Sequence, residues 1–203
     1  YGTEDVKTRQ TLETHLNVFA DFVPELNKEH RNIPFLFLAN IDPELQLSVL
    51  DQMDVRPRLV ALDTMDFWIE GSGNKLQDVV RRVDVLVMDE GEVRSFTQEP
   101  NVCMAVDQVM EMGPSVVVIK RGEHGVLLFR EDSVFSAPAL PLRRVVDPTG
   151  AGDSFAGGFM GYLAASGDLS LAGFRRAAVT GSVMGSFAVE SFGLDRISSL
   201  TQD

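Results

Sequence analysis

From Ile33 onward the apolar positions fall into two alternating rhythms. Phe35-Leu36-Phe37-Leu38-Ala39 is a short continuous apolar run between Pro34 and Asn40, the pattern of a strand buried on both faces. Pro43 suits a helix start, and the run Glu44 to Met53 supplies that helix. Leu59 to Asp63 reads as the next strand, and a loop carrying Trp68 and Gly71-Ser72-Gly73 leads to a helix from about Asn74 to Arg82. Val83 to Met88 is a third strand, followed by Asp89-Glu90-Gly91-Glu92 and a helix. Val102 to Met112 (helix) and Ser115 to Lys120 (strand) come next. Gly122-Glu123-His124-Gly125 is a tight turn into Val126–Phe129, and Val134 to Ala137 is a further short strand. After Pro138 and Pro141, a β-like run from Leu142 to Val146 precedes an apolar, small-residue helix over about Ala151 to Ala165. A second such helix, Leu171 to Val189, is predicted to pack very closely on its neighbours. Ser191-Phe192-Gly193 ends it, and the last ten residues suggest a short helix. Upstream, Leu12, Leu16, Phe19, Ala20 and Val23 recur at helical spacing, so about Leu12 to Val23 reads as a surface helix that Pro24 closes.

Strand–helix alternation at this spacing predicts an α/β fold with a mostly parallel sheet and helices on both faces. Ligands in such sheets bind beyond the carboxyl ends of the strands. Asp63, Asp89 and the Lys120-Arg121-Gly122 turn all lie at those ends. Asp153 reaches the same side if the run before it joins the sheet. One rim then carries three acidic positions, one lysine and an anion hole, which is a phosphate-and-metal chemistry.

The stretch from Asp147 to Phe159 (DPTGAGDSFAGGF) supplies that anion hole. The first backbone N–H groups of a helix have no intrahelical partners and lie at the positive end of its dipole. Gly150 and Gly152 let the main chain approach an anion with no Cβ in the way. Asp153 stands beside them, placed to take a proton from a hydroxyl that attacks a phosphoryl group. A P-loop would need a lysine after the last glycine, and none follows. A dinucleotide fingerprint would need a second strand with an acidic residue roughly 20 residues on. Here helix follows helix instead. The plain alternative is a helix N-terminus with tight glycine packing and a favourable acidic residue.

Bulk numbers narrow the partners. Over 203 residues, 44% are hydrophobic and 24% charged, as in an ordinary globular chain. A net charge of −12 argues against nucleic acid or an anionic membrane as a partner, since both need a basic face. The single cysteine, Cys103, excludes an internal disulfide and reads as a small apolar filler on a helix. No apolar run approaches the ~20 residues of a membrane span, and no signal-peptide layout is present; the reading is cytoplasmic. His15 and His30 read as surface residues.

The signature D-P-T-G-A-G-D-S-F-x-G-G-F resembles the C-terminal motif of the ribokinase-like (PfkB) family of sugar and nucleoside kinases. The resemblance implies a three-layer α-β-α fold, ATP with Mg²⁺ as cofactors, and a small sugar or nucleoside as acceptor. It makes Asp153 the catalytic base and Gly150, Ala151 and Gly152 the anion hole. Lys120, Gly122 and Gly125 match the family's nucleotide-side strand and turn. Glu92 fits the acidic end of the N-x-x-E motif that organises Mg²⁺. Asp89 stands where that motif has Asn and can serve through water, though its charge would weaken nucleotide binding or raise the Mg²⁺ requirement. Asp66 likewise stands where relatives often carry Asn. Asp147 and Thr149 resemble positions that bind a monovalent cation such as K⁺, with further carbonyls from the 188–193 region. Residues 1–11 resemble the trailing part of the family's lid, and residues 12–203 a single domain lacking its N-terminal strands. That implies an exposed edge strand near Phe35 to Ala39, an association hazard. The acceptor-choosing residues would be absent, and a homodimer stays open. A nucleotide- or metabolite-binding domain without catalysis is the alternative of a different class.

Overall fold

The computed structural model describes residues 21–201. The lid-like residues 1–11 and most of the helix expected over Leu12 to Val23 lie outside them. The elements run β1 (Phe35–Leu38), α1 (Pro43–Asp51), β2 (Leu59–Asp63), α2 (Asp66–Gly71), α3 (Gly73–Val80), β3 (Val85–Asp89), α4 (Glu90–Thr97), α5 (Val102–Met112), β4 (Val116–Lys120), β5 (Val126–Arg130), β6 (Ser133–Ala137), α6 (Ala151–Ser166), α7 (Leu171–Ala188) and α8 (Asp195–Ser198). Side chains cap the starts of several helices. Asp42 accepts from the Glu44 amide with Pro43 in the first turn, Asn101 from the Cys103 and Met104 amides, and Ser170 from the Gly173 amide.

The six strands form one sheet in the order β1-β2-β3-β4-β5-β6. β1 to β4 pair in parallel, and β5 and β6 return antiparallel. Period two along each strand separates the two faces. Val60, Leu62, Leu86, Met88, Val117 and Ile119 join one core with α1, α3 and α5. Leu59, Ala61, Val85, Val87, Val116 and Val118 face the other core, under α6 and α7. The architecture is the expected three-layer α/β sandwich.

Four readings change. First, Asp66–Gly71 is a helix where a loop was expected. Trp68 and Ile69 turn inward, and the Trp68 indole donates to Asn40 Oδ1 at 3.0 Å. Second, no strand forms over 142–146. Pro138 and Pro141 bring no amide donors to a ladder, Val145 and Val146 are exposed, and the Val146 amide donates to the Val189 carbonyl at 2.8 Å. Third, Asp153 is therefore not delivered by a strand. It is delivered by α6, which packs backbone-close on α7. A Cβ at Gly158 would meet Met184 Cγ at 2.8 Å, one at Gly181 the Phe155 carbonyl oxygen at 2.7 Å, and one at Gly185 the Ala151 carbonyl oxygen at 3.0 Å. Fourth, Cys103 sits on a helix but is exposed, so it fills no gap in the core.

Candidate active site

The same period-two register that sorts the core sorts the chemistry. Asp63, Asp89 and Lys120 are the last residues of β2, β3 and β4. Each continues the row that faces α6: Leu59 and Ala61 before Asp63, Val85 and Val87 before Asp89, Val116 and Val118 before Lys120. Asp89 and Lys120 are direct cross-strand partners. The N-terminus of α6 stands in front of this row. Gly150 takes a left-handed conformation (φ 80°) that turns the chain into the helix, a backbone state costly for other residues. Asp147 Oδ1 accepts from the Thr149 amide at 2.9 Å and tightens the preceding turn. Asp153, in the first turn of α6, is exposed.

Lys120 joins the two halves. Its Nζ lies 3.1 Å from Asp63 Oδ1 and 3.3 Å from Oδ2. The same ammonium is 3.3 Å from where a Cβ on Gly152 would stand, so the glycine leaves room for the lysine against the first turn of α6. Burial works against the ammonium, but Asp63, Glu92 and Asp89 outweigh it and hold the Lys120 pKa above its ordinary value. Burial raises the Asp63 pKa against the opposing pull of Lys120, with the Asp153 charge adding a smaller push upward.

At the β3–α4 junction Asp89 and Glu92 form a reciprocal cap. Asp89 Oδ1 accepts from the Glu92 amide at 2.8 Å, and Glu92 Oε2 accepts from the Asp89 amide at 2.6 Å. Asp89 is exposed and Glu92 is buried. Burial pushes Glu92 up to about 8, with Asp89 and Asp63 adding to the rise while Lys120 opposes it. Asp66, at the start of α2, is raised by partial burial and by Asp89 and Glu70.

These donors suit a hard cation in a limited way. All are carboxylate oxygens, and the buried Glu92, only partly compensated by Lys120 and the Asp89 amide, would gain from a further positive neighbour. Yet Asp89 and Glu92 each spend one oxygen on the cap. Among the described residues no group of three or more His, Cys, Asp or Glu side chains is set to hold a metal. A divalent ion would thus be held through water and through phosphate oxygens. At the other proposed cation position, the Val189 carbonyl accepts from the Val146 and Asp147 amides at 2.8 and 3.4 Å, so the 147–149 turn lies alongside the start of the 188–193 segment.

The remaining two sequence candidates part company. Gly122 (φ 54°) is exposed with open space where a side chain would begin. Gly125 (φ 89°) is buried, and a Cβ there would lie 2.0 Å from the Ala137 carbonyl oxygen and 2.7 Å from the Ala139 nitrogen. Its glycine is required by the chain leaving β6, whatever it does for a nucleotide. Two surface hollows lie away from the rim. One of about 410 Å³ sits between α1 and α3, and one of about 440 Å³ sits over Phe135, Tyr162 and Arg175. Charge and backbone geometry, not depth, single out the strand ends. Asp63 is the residue that sequence reasoning placed on this rim without giving it a role; the signal was a lone Asp ending an otherwise apolar strand.

Comparison with known proteins bears on this arrangement. The pattern of the pfkB family of carbohydrate kinases matches residues 20–199. A cytidine kinase of Thermococcus kodakarensis is 34% identical over 146 residues, 69% of this chain and 50% of its own length. A nucleoside kinase of Methanocaldococcus jannaschii is 27% identical over 169 residues, 83% of this chain and 53% of its own length. The chain spans about half the length of these curated relatives. Among solved structures, the M. jannaschii nucleoside kinase, described as an archaeal member of the ribokinase family, superposes with a TM-score of 0.70 at 22% identity, covering 87% of this chain and 55% of that one. A Vibrio cholerae fructokinase, solved with fructose, ADP and calcium ion, superposes with a TM-score of 0.69 at 21% identity, over 86% of this chain and 59% of that one.

Proposed function

The chain belongs to the pfkB family of carbohydrate kinases, and we propose that the protein carrying it transfers the terminal phosphoryl group of ATP to an alcohol of a nucleoside or sugar. The observation that carries this reading is the pairing at α6: an exposed carboxylate, Asp153, in the first turn, and the Lys120 ammonium across Gly152. A nucleoside acceptor is favoured by the cytidine and nucleoside kinases among the relatives.

Asp153 takes the proton of the acceptor hydroxyl as that oxygen attacks the terminal phosphorus. The bond to the bridging oxygen breaks and ADP leaves with its electron pair. The amides of Gly150 to Asp153 hold the charge on the transferring group, and Lys120 receives the phosphates from the sheet side. Asp89, and Glu92 once a cation beside it draws off its proton, would hold through water the Mg²⁺ that would come with the nucleotide and screen phosphate charge. Asp147 and Thr149, with carbonyls of the 188–193 segment, would hold K⁺ beside the hole.

A phosphotransfer screen over pentoses, hexoses and nucleosides tests this in the protein carrying the chain, paired with Asp153→Asn. General-base loss typically costs about 10²–10⁴ in rate, so turnover falls at least that far while nucleotide still binds. Retained turnover in D153N refutes the assigned base. Nucleotide binding with transfer to no acceptor leaves a binding domain without catalysis.

A further inference from the structure

Asp63 takes part in no step of that transfer, yet it is one of the few charged side chains this fold buries, at 5% exposure. Its carboxylate is held on every side the structure shows. Oδ1 accepts from the Thr64 amide at 3.0 Å and from Lys120 Nζ at 3.1 Å, and Oδ2 accepts from the same ammonium at 3.3 Å. The two residues come from strands that are not neighbours, because β3 runs between β2 and β4. The lysine therefore reaches across the end of a whole strand, and two charge-assisted hydrogen bonds hold it there. Its ammonium ends 3.3 Å from the position of a Gly152 Cβ, at the mouth of the anion hole.

A buried ion pair is weak grounds for stability, since well-packed apolar residues in its place are often as stable. What the pair does uniquely is fix a location. Lys120 also feels Glu92 and Asp89. Released from Asp63, the flexible side chain would be drawn to Asp89, its cross-strand partner, and would no longer be fixed against Gly152.

We propose that Asp63 is a positioning residue for nucleotide binding: from the end of β2 it holds the Lys120 ammonium against the Gly152 backbone, so that a fixed positive charge meets the phosphates at the anion hole. The proposal rests on the phosphotransfer reading above. Asp63 itself touches no phosphate and acts through the lysine.

The test is a double-mutant cycle in the protein carrying this chain, with Asp63→Asn, Lys120→Met and the two combined, each checked for folding by thermal denaturation. Asn keeps the acceptor for the Thr64 amide and the shape of the side chain; if it does not fold, Asp63→Ser keeps an acceptor in less volume. A charge-assisted hydrogen bond is about twice as strong as a neutral one, so D63N is expected to raise the KM for ATP about tenfold. The KM for the acceptor stays unchanged, a split that a general loss of structure would not produce. In the K120M background the D63N effect disappears. Two results overturn the proposal while leaving the kinase reading intact: D63N at the wild-type ATP KM while K120M raises it, or the D63N penalty adding in full to that of K120M. If K120M itself leaves the ATP KM unchanged, the phosphate role of Lys120 falls and Asp63 with it. Turnover in D153N then decides the transfer reading separately.

Discussion

Glu92→Gln isolates one proton in the site and turns it into a stability measurement. Glu92 is 8% exposed and its pKa is raised from 4.5 to about 8, first by burial. A carboxyl whose folded pKa lies above its unfolded value favours the folded chain when protonated. Its contribution is therefore fully present below about pH 4.5 and is lost as pH rises through about 8. At about 1.36 kcal/mol per pKa unit, the raised pKa costs the fold about 2 kcal/mol at pH 6, where folded Glu92 keeps its proton and the unfolded chain loses it, and about 4 kcal/mol at pH 8. Raising the pH across that interval should thus remove about 2 kcal/mol, or roughly 4–8 °C in Tm for a domain of this size. Gln is neutral at both pH values and can still reach back to the Asp89 amide, because the capping box accepts either residue. Thermal melts of wild type and E92Q in matched buffers supply the comparison. E92Q should be nearly flat over the interval and more stable than wild type at the alkaline end. If the two proteins share one slope between about pH 6 and pH 8, buried Glu92 does not carry the proton assigned to it.

Two further substitutions separate roles that the glycine and acidic motifs mix together. Gly125→Ala should destabilise by about 3 kcal/mol or more, since a positive-φ penalty of about 1–2 kcal/mol combines with a clash against the chain leaving β6. Gly122→Ala has the φ penalty alone and should cost about 1–2 kcal/mol; equal losses in chemical denaturation refute the distinction. Asp89→Asn keeps a good N-cap for α4 and removes one charge beside Glu92 and Asp66. It should lower the Mg²⁺ concentration needed for half-maximal nucleotide binding by several-fold, and an unchanged or higher requirement in calorimetric titration counts against that placement of charge.

The strands were legible because their apolar runs are short, continuous and ended by polar or turn residues, as Leu59 to Asp63 and Val116 to Lys120 illustrate. Period two also carried more than the fold. Once Leu59 and Ala61 are assigned to one face, Asp63 must share it, and the same count places Asp89 and Lys120 beside it. The misreadings are places where local pattern and tertiary context differ. Valines at 145 and 146 look like a strand, but after two prolines that segment finds one backbone partner in the loop after α7 instead of a ladder. Phe67-Trp68-Ile69 was too short and too flanked by glycine to declare a helix; burial of Trp68 and Ile69 makes it one. Gly125 matched a nucleotide motif by type, while its close approach to residues 137–139 depends on a hairpin that no local window contains. The pairing of Asp63 with Lys120 joins residues 57 apart, and only the sheet order brings them within reach.

That sheet order also bears on how the proposed phosphate site could stand on so acidic a rim. Lys120 is surrounded by Asp63, Glu92 and Asp89, and Arg121 adds little because Glu90 holds it at 2.8 Å. Counted as fully ionised, such a rim would repel a polyphosphate. Two physical effects reduce the repulsion without any added cation. The helix amides at Gly150 to Asp153 carry partial positive charge that no titration removes. Burial, which pushes Glu92 up to about 8, keeps that carboxyl largely protonated at neutral pH and takes one negative charge out of the count. The closeness of Lys120 to Gly152 then sets a positive charge beside those amides, opposing the exposed carboxylates Asp153 and Asp89 on the same rim. The burial that makes ionised Glu92 costly to the fold is therefore the same burial that takes one negative charge away from the face proposed to receive phosphate.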